Sequence, residues 1–232
     1  MSKIVTVQNL SKYYGRKRVF EDLSFTMESG RVIGLLGENG AGKSTLIKIL
    51  ADLCRADQGN VIINGKPVSA LTHCEVSYMP EASGLYYWMR IEQAIDYYSD
   101  MFPDFNKEKA VSLCRELELK PKELIKNLSK GNEERVLLML TLSRNVPLYL
   151  LDEPGAGLDP GMKRNMVQIL LGNLKEDATV VIASHLLRDL EEIFDEVYIL
   201  HNNRIITAAA EDIREKRNIS VEEYYLEVTG NA

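Results

Sequence analysis

The sequence predicts an α/β fold: a parallel β-sheet flanked by helices, preceded by a series of short β-type runs and interrupted by a helical insertion at about residues 83–145. Three observations carry this. In the last third of the chain, short apolar runs such as Leu148–Leu151 and Thr179–Ala183 alternate with stretches of helical periodicity. Strand–helix–strand order with apolar strands implies a parallel sheet covered on both faces. The first third is a series of β-type runs separated by glycine breaks, and the middle third places its apolar residues at helical spacing between Pro103 and Pro121.

Taken in order, Ile4–Leu10, Val19–Phe20, Leu23–Met27 and Arg31–Leu36 are strands, with Gly15 and Gly30 as breaks. A helix follows from Lys43 to about Leu53. Asn60–Ile63 runs into Asn64-Gly65, the strongest short hairpin signal. Val76–Pro80 is a further strand. Glu92–Met101, Lys107–Leu117 and Lys130–Leu142 read as helices. Strand Leu148–Leu151, helix Gly161–Leu174, strand Thr179–Ala183, helix Leu186–Phe194 and strand Val197–His201 complete the alternation, and the tail from Glu211 to Val228 reads as two short helices. With no repeat, linker or low-complexity stretch, residues 1–232 are expected to form one domain with a helical insertion.

Bulk properties narrow the function. The chain has 232 residues, 45% hydrophobic and 27% charged, with net charge −6. That balance argues against nucleic acid as a partner, because sequence-independent binding there rests on Lys and Arg neutralising phosphates. Cys54, Cys74 and Cys114 are scattered, without metal-ligand spacing, as expected of thiols in a reducing compartment. No stretch approaches the roughly 20 apolar residues that cross a bilayer, and the start lacks a secretory core. A cytoplasmic location is expected, with any membrane role exerted through a partner.

The chemistry begins at Gly37-Glu38-Asn39-Gly40-Ala41-Gly42-Lys43-Ser44-Thr45, between a strand and a helix. Gly-x-x-x-x-Gly-Lys-Ser in that context is a phosphate-binding loop. The glycines let successive N–H groups turn toward phosphate oxygens, and the helix start adds its positive dipole end. Lys43 reaches the β- and γ-phosphates and the Ser44 hydroxyl ligates Mg²⁺. Downstream, the apolar strand Leu148–Leu151 ends in Asp152-Glu153. A carboxylate at a buried strand end is costly unless it meets a cation, so Asp152 is expected to hold Mg²⁺. Glu153 is then placed to take a proton from an attacking water.

Further motifs give a family resemblance. Leu128-Ser129-Lys130-Gly131-Asn132-Glu133-Glu134-Arg135-Val136 resembles the ABC signature, Gly157-Leu158-Asp159-Pro160 the D-loop, and Ala183-Ser184-His185 the switch-histidine motif. Tyr14, before Gly15, matches the aromatic that stacks on adenine. The motifs stand in the family's order along the whole chain, which is thus similar to the nucleotide-binding subunit of an ABC transporter. The resemblance implies a P-loop NTPase, RecA-like, parallel-sheet core with an antiparallel β subdomain and an inserted α-helical subdomain. It also implies Mg-dependent ATP hydrolysis by a dimer, homomeric or with a second ABC ATPase subunit, docked on the cytoplasmic face of an integral membrane transporter subunit. Ser129, Lys130, Gly131 and Asn132 would grip the γ-phosphate bound by the opposite copy, Asp159 would lie at the dimer interface, and His185 would sense the γ-phosphate.

Three positions depart from the family pattern. Glu81 stands where Gln is usual, keeping an oxygen donor for Mg²⁺. Lys130 replaces the signature's first glycine and Asn132 its final Gln. Such signatures resemble those of subfamilies that pair with compact exporter-type membrane subunits, including drug and antimicrobial-peptide exporters, which favours export. Tyr86-Tyr87-Trp88-Met89 is either a contact for the membrane partner or part of the helical core. Two other functions compete: a soluble ABC ATPase acting on DNA or ribosomes, disfavoured by the charge and by the lack of coiled-coil insertions or tandem domains, and a non-hydrolytic nucleotide sensor, disfavoured by Glu153 and His185.

Overall fold

A computed structural model describes residues 2–156, 158, 160–175, 177–184 and 190–230. The strands are β1 (Lys3–Tyr14), β2 (Lys17–Glu28), β3 (Val32–Leu36), β4 (Gln58–Ile63), β5 (Lys66–Pro67), β6 (Val76–Met79), β7 (Leu148–Asp152), β8 (Thr179–Ala183), β9 (Glu196–His201) and β10 (Arg204–Ala209). The helices are α1 (Lys43–Leu50), α2 (Ile91–Met101), α3 (Lys107–Glu116), α4 (Lys130–Leu142), α5 (Pro160–Asn173) and α6 (Val221–Thr229).

Two sheets form. One is four-stranded and antiparallel, in the order β2-β1-β4-β5; the other is six-stranded, in the order β10-β9-β3-β8-β7-β6. In the second, β9, β3, β8, β7 and β6 run parallel, and β10 pairs antiparallel with β9. Every residue of β7 and β8 is buried, as the apolar runs required. The period-2 alternation of β7 then sorts its side chains into two cores. Leu148 and Leu150 join α1 and the antiparallel sheet through Leu46, Val5 and Phe20. Tyr149 and Leu151 join the helices between β6 and β7, through Ile95, Leu113 and Leu138.

Several elements differ from the sequence expectation, for local reasons. Val19–Phe20 and Leu23–Met27 belong to one strand, β2, because Asp22 and its neighbour across the sheet, Asn9, both take left-handed backbone (φ 56° and 50°) and absorb a register shift there. The Asn9 side-chain amide donates to Asp22 Oδ1 at 2.5 Å. The first long helix stops at Leu50 rather than Leu53. Asp52 turns left-handed (φ 58°), its N–H donates to Ile49 O, and Leu53 N–H donates back to Lys48 O at 2.8 Å, the paired bonds of a Schellman stop. Strand β10 was not expected. It returns from β9 through Asn202-Asn203, both at positive φ (46° and 64°), the backbone of a tight I′ hairpin. Of the helix expected at Leu186–Phe194, residues 186–189 lie outside the described residues and Glu191–Ile193 form a single 3-10 turn. In the tail, Asp212–Lys216 winds as a π-type turn and α6 follows. Its cap is reciprocal: Ser220 Oγ accepts from Glu223 N, and the Glu223 carboxylate accepts from Ser220 N.

Candidate active site

The site forms at the start of α1, where β3 and β7 end on either side of β8. Residues 37–42 leave β3 and curl into α1, with Ala41 N–H donating to Glu38 O at 3.1 Å. Gly42 caps the helix at φ 110°, and a Cβ there would lie 2.7 Å from Val19 Cγ1. Backbone conformation and space both demand glycine at that position. Lys43, the first residue of α1, is only 6% exposed. Its ammonium donates to Gly37 O at 2.7 Å and to Glu38 O at 3.3 Å, folded onto the loop that precedes it. Burial pulls its pKa down, opposed by the charges of Glu153, Asp152 and Glu81. A largely desolvated cation whose hydrogen bonds go to loop carbonyls gains from an anion brought beside it.

Across the loop, Ser44 Oγ donates to Asp152 Oδ1 at 2.8 Å. Asp152 is 2% exposed, and burial pushes its pKa up against the lowering effect of that hydrogen bond. A hydroxyl and a carboxylate thus converge as hard oxygen donors, with the Glu81 carboxylate near enough to act on Lys43 and Asp152. The donor set fits Mg²⁺. Mg²⁺ keeps several waters and takes further oxygens from phosphates, so one carboxylate and one hydroxyl suffice from the protein. Tyr78 on β6 stands by, its hydroxyl pushed up to about 12 by burial, Asp152 and Glu81.

Glu153, next after Asp152, has left the strand for φ 52°, and its N–H donates to Ala183 O at 2.8 Å. A non-glycine residue in that region costs free energy, and such strain clusters at functional sites. The turn brings Glu153 into a cleft of 510 Å³ together with Tyr14, Asn39, Gly40, Gly42, Lys43, Ser44, Thr45 and Glu81. Gly37, Glu38, Ala41 and Asp152 support this cleft from the loop and strand end without lining it. Lys17 and Val19 also line it. Sequence reasoning missed both, although they follow directly on the hairpin turn that carries Tyr14.

The signature residues lie elsewhere. Ser129 caps α4, accepting from Asn132 N at 3.3 Å, and Ser129 and Lys130 are exposed. A Cβ on Gly131 would meet Leu158 at 3.2 Å, so the helix start sits hard against the segment leading into α5. None of Ser129, Lys130, Gly131 and Asn132 lines the cleft. Asp159 and His185 lie outside the described residues. His73 faces Asp52, with Nε2 at 3.3 Å from Oδ2, and His201 pairs with Asn202, both in structural roles. Trp88 is 66% exposed, with Tyr86 and Tyr87 also exposed and only Met89 buried, which excludes Trp88 from the core. No described helix is long and apolar enough to cross a membrane.

The chain is similar to known proteins of one family. A family model described as ABC transporter matches residues 20–156. An uncharacterized ABC transporter ATP-binding protein of Methanocaldococcus jannaschii is 32% identical over 211 residues, covering 89% of this chain and 77% of that protein. The lipopolysaccharide export system ATP-binding protein LptB of Haemophilus influenzae is 30% identical over 214 residues, 88% of this chain and 89% of its own. Among solved structures, an ATP-binding subunit of an ABC transporter superposes with a TM-score of 0.87 at 28% identity, covering 97% of this chain and 99% of its own.

Proposed function

Since the chain belongs to the ABC transporter family as an ATP-binding subunit, we propose that two copies close around Mg-ATP, hydrolyse it, and so drive export through a separate membrane subunit. One observation carries the reading. The phosphate cleft and the capped start of α4 are separate surfaces of one copy, and the cleft holds none of the signature residues. A single copy surrounds a nucleotide on one side only. A second copy supplies the missing wall when the exposed Ser129 and the N–H groups at the start of α4 face the γ-phosphate bound by its mate. Asp159 and His185 are assigned to the interface and to γ-phosphate sensing on the family pattern.

Within the closed site, Lys43 exchanges its loop carbonyls for phosphate oxygens. Ser44, Asp152 and Glu81 would hold Mg²⁺, which would neutralise charge on the phosphates. Glu153 orients a water and takes its proton as the water oxygen bonds to the γ-phosphorus and the bond to the β-phosphate oxygen breaks. ADP and phosphate leave, and the contact that joined the copies is lost. Closure is a population shift driven by nucleotide that binds the closed dimer better than the open one.

The relatives' names include both directions, peptide export for a Bacillus subtilis protein and ribose import for a Caldanaerobacter subterraneus protein. Export rests here on the Lys130 and Asn132 form of the signature. The exposed aromatics Tyr86, Tyr87 and Trp88 are the contact for the membrane subunit, since large aromatic surface left in water is characteristic of interfaces. The test is Glu153→Gln. Turnover is expected to fall about 10²–10⁴-fold, with a dimer appearing by light scattering only when Mg-ATP is present. A Glu153→Gln protein that stays monomeric at saturating nucleotide, alone and with its membrane subunit, refutes the sandwich. A wild type with no turnover beside its membrane subunit would instead be a nucleotide sensor.

A further inference from the structure

We propose that Lys12 is a positioning residue for nucleotide binding: its immobilised ammonium, set over the Tyr14 ring, fixes the platform on which the base stacks. The inference rests on the reading of Tyr14 as the base-stacking aromatic.

Lys12 and Tyr14 stand near the end of β1, where the pairing with β2 shifts register between Lys12 and Tyr13, and their side chains meet there. The Lys12 side chain is 11% exposed, unusual for a lysine, and its ammonium is held. Nζ donates to Arg55 O at 2.7 Å, lies 3.5 Å from Asp57 Oδ2, and stands 5.3 Å from the centroid of the Tyr14 ring. The loop that holds it is itself stitched to β1. Asp57 N–H donates to Ser11 O at 2.9 Å, and Asp57 Oδ2 accepts from Tyr13 N at 2.7 Å. The far end of the ring is also met, with the Tyr14 hydroxyl 3.7 Å from Cys54 Sγ. Tyr14 therefore has a cation over its ring and a thiol at its hydroxyl, both contributed or anchored by residues 54–57. Tyr14, Lys17 and Val19 line the cleft; Lys12 does not. A contact of Lys12 with bound base must pass through Tyr14.

Two effects follow. A half-exposed tyrosine left unsupported loses rotamer freedom when a base settles on it, and Lys12 removes that freedom beforehand. The ammonium also draws on the ring's π density, which makes the ring a better partner for the π-system of a purine.

The experiment compares two ligands by calorimetry in the Glu153→Gln background: Mg-ATP, and Mg-tripolyphosphate, which has the phosphates without the base. Lys12→Met should bind Mg-ATP about two- to fivefold more weakly and tripolyphosphate as before. Lys12→Arg should retain the affinity for Mg-ATP. Tyr14→Ala should lose more than Lys12→Met, and adding Lys12→Met to it should cost nothing further. Equal weakening for both ligands would mean a general charge or folding effect and overturn the proposal, as would additive losses in the double variant. No loss in Lys12→Met where Tyr14→Ala loses affinity overturns the role of Lys12 alone. Intact ATP affinity in Tyr14→Ala removes the base-stacking reading and the proposal with it. Should Lys12→Met fail to fold, Asp57→Asn, which slackens the same ammonium, is read by the same comparison of ligands.

Discussion

The side chain of Arg144 offers the most demanding test of how the helices between β6 and β7 are joined to the rest of the chain. Its side chain is 5% exposed and its guanidinium forks onto both oxygens of Asp104, in the turn between α2 and α3. Nη2 also donates to His73 O at 2.7 Å, ahead of β6, and the guanidinium lies 3.8 Å from the centroid of the Phe102 ring. The backbone follows the same seam: Asn145 N–H donates to Asp104 O at 2.9 Å and Asn106 N–H to Ser143 O at 2.7 Å. Replacing Arg144 by Met keeps the bulk and removes the charge, leaving Asp104 without its cation and the His73 carbonyl without a donor. Breaking a buried pair from one side costs about 3–5 kcal/mol. The Asp104 side chain keeps 15% of its exposure, so water reaches it and the lower end applies, about 3 kcal/mol. Against a total stability of about 5–15 kcal/mol, that is a large fraction. At roughly 2–4 °C per kcal/mol for a chain of this size, the melting midpoint should drop by about 6–12 °C. The assay is a thermal melt followed by circular dichroism, with Arg144→Met and Arg144→Met/Asp104→Leu side by side. Removing both charges leaves no unpaired charge and only the His73 carbonyl without its donor, so the double variant should recover at least half of the loss. A single variant within about 1 °C of wild type, or a double variant no better than the single, would refute the reasoning.

The candidate site was more legible than the fold around it, because its pieces are contiguous. A strand, a glycine-rich turn and a helix start occupy residues 32–50 without interruption, and Asp152-Glu153 announce themselves at the end of an apolar run. Two aspects stayed hidden. One was the assembly of distant segments: Lys17 and Val19 meet Lys43 only because the hairpin of β1 and β2 folds back over the loop, which no local spacing expresses. The other was backbone: that Glu153 departs from β7 at φ 52° depends on the strand pairing that aims it. Elements were lost where a pattern was weak. Strand β10 lies at the sheet edge, and none of its residues is buried, so its alternation is blurred. Its Asn202-Asn203 turn was the available signal. Strand β2 was read as two pieces because Glu21-Asp22 interrupts the apolar alternation at the point where the chain bulges rather than breaks. The Tyr86–Met89 cluster has no period at all, which is why sequence could not choose between core and surface.

Two further measurements follow from side chains outside the nucleotide cleft. The buried carboxylate of Glu75 accepts from the Lys66 ammonium and from Asn64 Nδ2 (2.9 Å), and those bonds hold its pKa below the usual value of 4.5. A depressed carboxylate stabilises the fold above its unfolded pKa, and that contribution is lost as pH falls through the folded value. Wild type should therefore melt above Glu75→Gln at pH 7, with the gap closing as the buffer is taken below about pH 4.5; a gap that is constant with pH would show that the charge is not involved. Trp88 yields the opposite kind of expectation. Its neighbours within the cluster are Tyr86, at 5.9 Å between ring centroids, and through it the partly buried Tyr97 at 5.6 Å, while the indole itself stays exposed. Truncating an exposed side chain removes little packing, and surface substitutions lie within about 0.5 kcal/mol, so Trp88→Ala should shift the melting midpoint of the isolated subunit by no more than about 2 °C. The same change should abolish co-purification with the membrane subunit, because aromatic anchors carry a disproportionate share of interface energy. A complex that survives the substitution removes Trp88 from the docking surface. A midpoint that drops as far as that of Arg144→Met would mean the indole is buried against something in solution, and the exposed face would then belong to the fold rather than to a partner.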